Sequence, residues 1–204
     1  MKKGYHIAHE ASQVDSEEYT GLHGRDEFNA AVTHVVELIR ASYALFKQGF
    51  YAPSVFVSIT VFEEMAKIKA GHTRSRLNTK ARVKRGKDPL FNHGKKHKIS
   101  VDPLYLIGDR IANSIGHDRA VEIFKGYETG EYSEFREKSL YFSRGSSGLH
   151  IPAEHFDKKL SAEHLLIAIE ICADEFWGMT GETSILFDST NSLYTEVERE
   201  LKLS

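Results

Sequence analysis

From Asp26 onward, apolar residues return every three or four positions, at Phe28, Val32, Val35, Val36, Ile39, Tyr43 and Phe46. That is the period of a helix with one buried face, and Gly49 marks its end. Pro53 opens a second helix at a first-turn position, where the missing N–H costs nothing. Val55, Phe56, Val57, Ile59, Val61, Phe62, Met65 and Ile68 leave this helix apolar nearly all round. The exception is a narrow stripe of Thr60, Glu63, Glu64 and Lys67, which at 100° per residue fall within about a third of the circumference. A mostly buried helix with one polar stripe is the pattern of a central helix that lines a site.

Farther on, Asp102-Pro103 reads as an N-cap followed by a first helical residue, opening a helix that runs to Ile115 before Gly116. Short helices are expected around Asp118–Lys125 and Glu131–Tyr141, then a flexible loop at Ser143–Gly148. Ser161 caps the last long helix, which buries Leu165, Leu166, Ile169, Cys172, Ala173 and Phe176 and carries Glu163, Glu170 and Asp174 as a solvated acidic stripe. An amphipathic helix from Leu193 to Leu201 closes the pattern. No internal repeat and no paired sheet is evident. The fold class is all-α, a bundle of four or more helices. Residues 1–24 lack helical periodicity and read as an irregular arm before a single domain, 25–204.

Composition sharpens one region. The chain of 204 residues is formally −2. Within Arg74–Lys98, however, ten basic residues (Arg74, Arg76, Lys80, Arg82, Lys84, Arg85, Lys87, Lys95, Lys96, Lys98) face one acid, Asp88. The segment is therefore +9 and the rest −11. Gly86, Pro89 and Gly94 punctuate it, so it reads mainly as loop. It concentrates positive potential where phosphate, nucleic acid or an acidic partner would feel it. A single cysteine, Cys172, fits a reducing cytoplasm and reads as a core residue. No stretch has the roughly 18 uncharged apolar residues of a membrane span, so a cytoplasmic protein without membrane contact is expected.

Three motifs in order carry a resemblance. Glu63-Glu64-Met65-Ala66-Lys67 lies on a two-helix unit, His93-x-x-Lys96 in the basic segment, and Arg136-Glu137-Lys138-Ser139-Leu140-Tyr141 beyond it. Across roughly Phe28 to Trp177, the chain resembles the AbiV-type abortive-infection family of the HEPN superfamily. The resemblance implies a HEPN-like helical bundle with a basic loop insertion. It also implies an anti-phage effector that stops growth of the infected cell by blocking translation, a homodimer, and a phage-encoded activator protein. The superfamily includes metal-independent ribonucleases, whose Arg-x(4–6)-His motif sits on a helix. Two spacings here fit that motif, Arg110 with His117 and Arg144 with His150. One runs past Gly116 and the other lies in a Gly/Ser loop, so neither establishes the usual site.

Metal-free RNA cleavage needs a group to deprotonate the 2′-OH, a group to protonate the leaving oxygen and a cation for the charge on phosphorus. Histidine suits the proton transfers and lysine or arginine the charge. His93 (or His97), Lys96 and Arg136 are the expected catalytic set. Arg74, Arg76, Lys80, Arg82, Lys84, Arg85, Lys95 and Lys98 are the expected RNA contacts. Glu63, Glu64, Lys67 and Tyr141 are expected to organise the site; the alternative is a solvated stripe in which Glu63 and Lys67 pair across one turn. Arg136 and Lys96 are the candidate partners of the glutamates. Gly94 argues against a regular helix around His93 and His97, and Lys95 and Lys96 would repel a cation there. No metal is therefore expected. No Gly-rich phosphate loop follows a strand, and no cofactor is expected. The competing reading is a non-catalytic helical dimer that binds RNA or a protein.

Overall fold

The computed structural model describes residues 3–77, 80–102, 109–146 and 148–203. Its helices are α1 (Gly4–Ser12), α2 (Gly24–Lys47), α3 (Tyr51–Arg74), α4 (His93–Ser100), α5 (Asp109–Ile115), α6 (His117–Thr129), α7 (Tyr132–Leu140), α8 (Lys158–Phe176), α9 (Gly181–Asp188) and α10 (Asn191–Lys202). Two short ladders accompany them among the described residues. Val14–Asp15 pairs in parallel with Ala81–Arg82, and Ser143–Gly145 pairs antiparallel with Gly148–His150. The loop expected at Ser143–Gly148 is thus a small hairpin. Of the helix expected from Asp102-Pro103, the structure shows Asp109–Ile115; the rest of that expectation falls on residues 103–108, outside the described residues. α8 starts before Ser161, with the Asp157 side chain accepting the Leu160 N–H at 2.8 Å as its cap.

α2 and α3 form an antiparallel pair, and α8 packs across both. Their shared core is Val32, Val35, Val36 and Ile39 from α2, Val55, Ile59, Phe62 and Met65 from α3, and Leu165, Leu166, Ile169 and Cys172 from α8. The α2–α3 seam is close because small hydroxyls line it: Ser42 Oγ meets Ser54 and Ser58 Oγ at 2.9 and 2.8 Å. Cys172 is wholly inside, and burial pushes its thiol far above the ordinary range. Among the described residues, no helix is long and apolar enough to cross a membrane.

Two segments expected to be irregular are helical. Residues 4–12 form α1, which buries Ile7 and Ala11 against Ala66 and Ala70 of α3 and against Leu90 and Ile99. Asp102 Oδ2 accepts the Tyr5 N–H at 3.1 Å. Gly4 lies so close to the end of α4 that a Cβ there would stand 2.0 Å from the Lys98 carbonyl oxygen. Because that obstacle is backbone, Gly4→Ala is expected to undock α1 and cost about 1–3 kcal/mol, the usual range for overpacking. Urea unfolding measures the loss, and a value within error of zero would show that α1 can shift freely.

α4 forms in spite of Gly94 because packing outweighs propensity. Asn92 caps it by accepting the Lys95 N–H at 2.9 Å. Ser100 Oγ donates to the Phe62 carbonyl of α3, and Lys96, His97, Ile99 and Ser100 are buried. Glycine in a helix costs about 1 kcal/mol relative to alanine. Here it lets α4 approach the turn at Gly130, since a Cβ on Gly94 would come 3.2 Å from Ser133 Oγ.

Arg74 is the clearest correction. Its guanidinium is fully buried and pairs with both carboxylate oxygens of Asp88 at 2.9 Å. It also donates to the carbonyls of Ala11 at 2.7 and 2.9 Å and Tyr19 at 2.8 Å. Ser16 Oγ donates to the same carboxylate at 2.9 Å. Burial alone would raise the Asp88 carboxyl; the Arg74 bonds and the Leu90 N–H hold it below its usual value. Arg74 therefore bolts the N-terminal segment and the basic strap to α3, and it has no surface to offer RNA. Of the acidic stripe on α8, Glu163 is buried against Arg119 at 2.7 Å and Glu170 meets Arg110 at 3.2 Å, whereas Asp174 is exposed as expected.

Candidate functional site

After Arg74 the strap turns back along α3. By His93 it is again level with Glu63, which lies three turns of α3, about 16 Å, before Arg74. That return path brings α4 onto the polar stripe of α3, while α7 packs against the same face.

Glu63 stands at the centre and is almost wholly buried. His93 Nδ1 lies 2.7 and 2.8 Å from its two oxygens. Lys96 Nζ donates at 2.6 Å, His97 Nε2 lies at 3.2 Å and Arg136 Nε at 3.3 Å. An ionised carboxylate offers about four lone-pair sites, so these four groups occupy its accepting capacity. Burial by itself would raise the Glu63 carboxyl. The bonds from His97 and Lys96, with the charges of Lys96 and Arg136, outweigh burial and hold it far below the carboxylate range.

An ionised Glu63 dictates the hydrogens facing it. His93 must present Nδ1–H and His97 Nε2–H, because a lone pair there would face a full negative charge. In the neutral His93 the free lone pair is then on Nε2, and its side chain is 45% exposed. This is the orientation logic by which a buried carboxylate fixes a catalytic imidazole. His97 is entirely buried; burial lowers its pKa against the pull of Glu63, so it stays neutral. Arg136 completes the rim. Its guanidinium sits 4.1 Å over the Phe56 ring, and Nε also approaches Thr60 Oγ1 at 3.4 Å. Lys96 and Arg136 make this a set of donors around an anion. Among the described residues, no group of three His, Cys, Asp or Glu is placed to hold a metal.

The three residues expected to be catalytic, His93, Lys96 and Arg136, converge on one carboxylate. Of the organising residues, Glu63 is the hub. Glu64 instead pairs with Lys67 at 2.7 Å, so the Glu63–Lys67 pair of the solvated alternative does not form. Tyr141 follows the last turn of α7, 57% exposed and outside the cluster. Arg110 is held by Glu170 and Asn191 and stacks 3.6 Å over Tyr194, a structural tie between α5, α8 and α10. His150 Nε2 lies 2.9 Å from the Lys138 carbonyl, pinning the hairpin to α7. Eight strap cations remain exposed or half-buried: Arg76, Lys80, Arg82, Lys84, Arg85, Lys87, Lys95 and Lys98. Arg82 meets Glu17 at 3.0 Å with both side chains largely in water, a pairing that leaves its charge nearly free. Arg85 stacks 4.9 Å over Phe91, two residues before His93.

Behind His97 lies a layer that sequence reading missed, formed by Tyr127 of α6 and His164 of α8. Both are fully buried, and Tyr127 Oη lies 3.0 Å from His164 Nδ1. Burial, reinforced by the Arg119 charge, lowers the His164 pKa to about 3. In the unfolded chain the group takes up a proton below its ordinary value of 6.5, whereas the folded state refuses it down to about 3. The unfolded state thus binds more protons in that window, and stability falls as pH falls by about 1.4 kcal/mol per unit from this residue. His164→Gln should reduce the slope of unfolding free energy against pH between 6 and 4 by that amount. An unchanged slope would mean that His164 titrates normally.

The AbiV family model, of HEPN type, matches residues 25–173, a span that contains Glu63, α4, α7 and Tyr127. No curated protein and no solved structure matches the chain. With most of its length matched and a helical bundle to accommodate it, the chain belongs to the AbiV family of HEPN-type abortive-infection proteins.

Proposed function

We propose that this protein acts on RNA in the cytoplasm of the phage-infected cell as a metal-independent endoribonuclease. In this reading, damage to RNA or to the translation machinery stops growth. The observation that carries the proposal is the Glu63–His93 pair. A buried carboxylate fixes Nδ1–H and leaves the Nε2 lone pair on a half-exposed side chain, with the Arg136 guanidinium held by the same carboxylate.

The chemistry follows from those positions. His93 Nε2 removes the 2′-OH proton, the 2′-oxygen attacks phosphorus, and the bond from phosphorus to the 5′-oxygen breaks. The proton reaches the departing 5′-oxygen through solvent, leaving a 2′,3′-cyclic phosphate and a 5′-hydroxyl. Arg136 offers its charge to the phosphoryl oxygens, with Lys96 behind it holding the carboxylate. The eight strap cations supply a path for the phosphate backbone that ends at His93. A homodimer and a phage-encoded activator belong to the same proposal as partners.

The test incubates purified protein with total RNA in EDTA, with and without lysate of phage-infected cells as the source of activator. Expected are fragments ending in 2′,3′-cyclic phosphate. Intact RNA under both conditions would remove the nuclease reading. The burial of Lys96 and His97 favours a second reading, a binding module without turnover. It predicts RNA affinity that drops steeply with salt and no fragments.

A further inference from the structure

We propose that Tyr127 and His164 are positioning residues for the Glu63 cluster, holding the imidazole of His97 and, through Glu63, that of His93. The inference rests on the function proposed above only for what the cluster does; the positioning itself stands on geometry.

Tyr127 touches the cluster on two sides. Its ring stacks on Phe62, the neighbour of Glu63 on α3, with centroids 4.1 Å apart and planes 23° from parallel. The His97 imidazole meets the same ring edge-on at 5.4 Å and 86°. His97 Nδ1 is buried and has no hydrogen-bond partner among the described residues. Among the described residues, that imidazole is held by Glu63 at one end and by packing that includes the edge-on Tyr127 ring at the other. The ring in turn is fixed by its hydroxyl on His164 Nδ1 at 3.0 Å. His164 packs against Tyr132 at 4.8 Å and Phe135 at 5.7 Å, and Phe135 directly precedes Arg136. One buttress therefore reaches both histidine and arginine sides of the site.

The pair is placed to hold a ring rather than to pass a proton. Burial holds the Tyr127 phenol far above its ordinary range and the His164 imidazole neutral. The phenol has no other acceptor among the described residues, so it donates to Nδ1, which leaves His164 as the Nε2–H tautomer. That N–H is buried without a partner among the described residues. An unmet buried donor costs free energy that a phenylalanine at this place would not. Core packing alone gives no reason for histidine here; the bond to Tyr127 does.

The experiment uses the full chain labelled with 15N and compares wild type, Tyr127→Phe and His164→Gln. Tyr127→Phe keeps the ring and deletes only the hydroxyl. The imidazole 15N and 1H resonances of His97 and His93 are expected to shift or broaden in both variants. RNA cleavage should lose roughly tenfold in kcat with KM unchanged, as displacement of a catalytic group does. If the His97 and His93 resonances of folded Tyr127→Phe coincide with wild type, the positioning role is overturned, whatever His164→Gln does. If they move while wild-type protein leaves RNA intact, positioning stands and the nuclease reading falls.

Discussion

Glu63→Gln should lower the unfolding free energy by about 3–5 kcal/mol, the scale for breaking a buried ion pair from one side. The substitution keeps the shape and removes the charge. Lys96, 7% exposed, is left with no counter-ion, and the new amide NH2 faces donors from His93, His97 and Arg136. Urea unfolding at pH 7 measures it, with an unchanged m-value showing that the denatured state is the same. A loss below about 1 kcal/mol would mean that Lys96 reaches water and that the hub is not closed. Removing both charges, as Glu63→Leu with Lys96→Met, should recover a large part of the loss, since the stranded ammonium is then gone. The pH dependence has a definite sign. The folded carboxyl lies below its unfolded value of 4.5, so its contribution is complete above that pH. It is lost as pH falls farther, and wild type and Glu63→Gln should converge in acid.

His93→Ala should have the opposite signature. With a side chain 45% exposed, His93 contributes little core, and its loss leaves Glu63 still paired with Lys96, His97 and Arg136. Stability should change by less than about 1 kcal/mol, as for other surface positions. Cleavage of RNA should fall by about 10²–10⁴-fold, the range for removing a general base, while RNA affinity through the strap persists. A variant that cleaves at the wild-type rate would take His93 out of the mechanism. One that unfolds would show that His93 is structural instead.

The two substitutions divide the cluster between a buried half that holds and an open half proposed to act. That division was partly legible in the residue order. The polar stripe on an otherwise apolar α3 pointed to charges that would need partners, and Lys96 and Arg136 were the natural ones. Which glutamate would be the hub was not legible. Glu63 and Glu64 are 100° apart on the helix, and only the approach of α4 and α7 put one inside and left the other with Lys67. α1 was hidden for another reason. A short helix with two buried apolar residues has no stability of its own; Ile7 and Ala11 become meaningful only where α3 and α4 meet them. Tyr127 and His164 looked like two unrelated residues 37 positions apart.

Periodicity determined the long helices, because a 3.6-residue repeat of apolar side chains has one way to leave water. Charge counting located the cationic strap, because side-chain ionisation belongs to residue type. Tertiary structure alone decided which of those charges are buried and which face water. Arg74 counted as the first cation of the strap, yet Asp88, folded back onto it, buries it as a bolt. His93 reaches the rim because the same fold-back sets α4 on Glu63. The fate of a charge depends on the dielectric and the partners around it, and those come from residues far away in the chain.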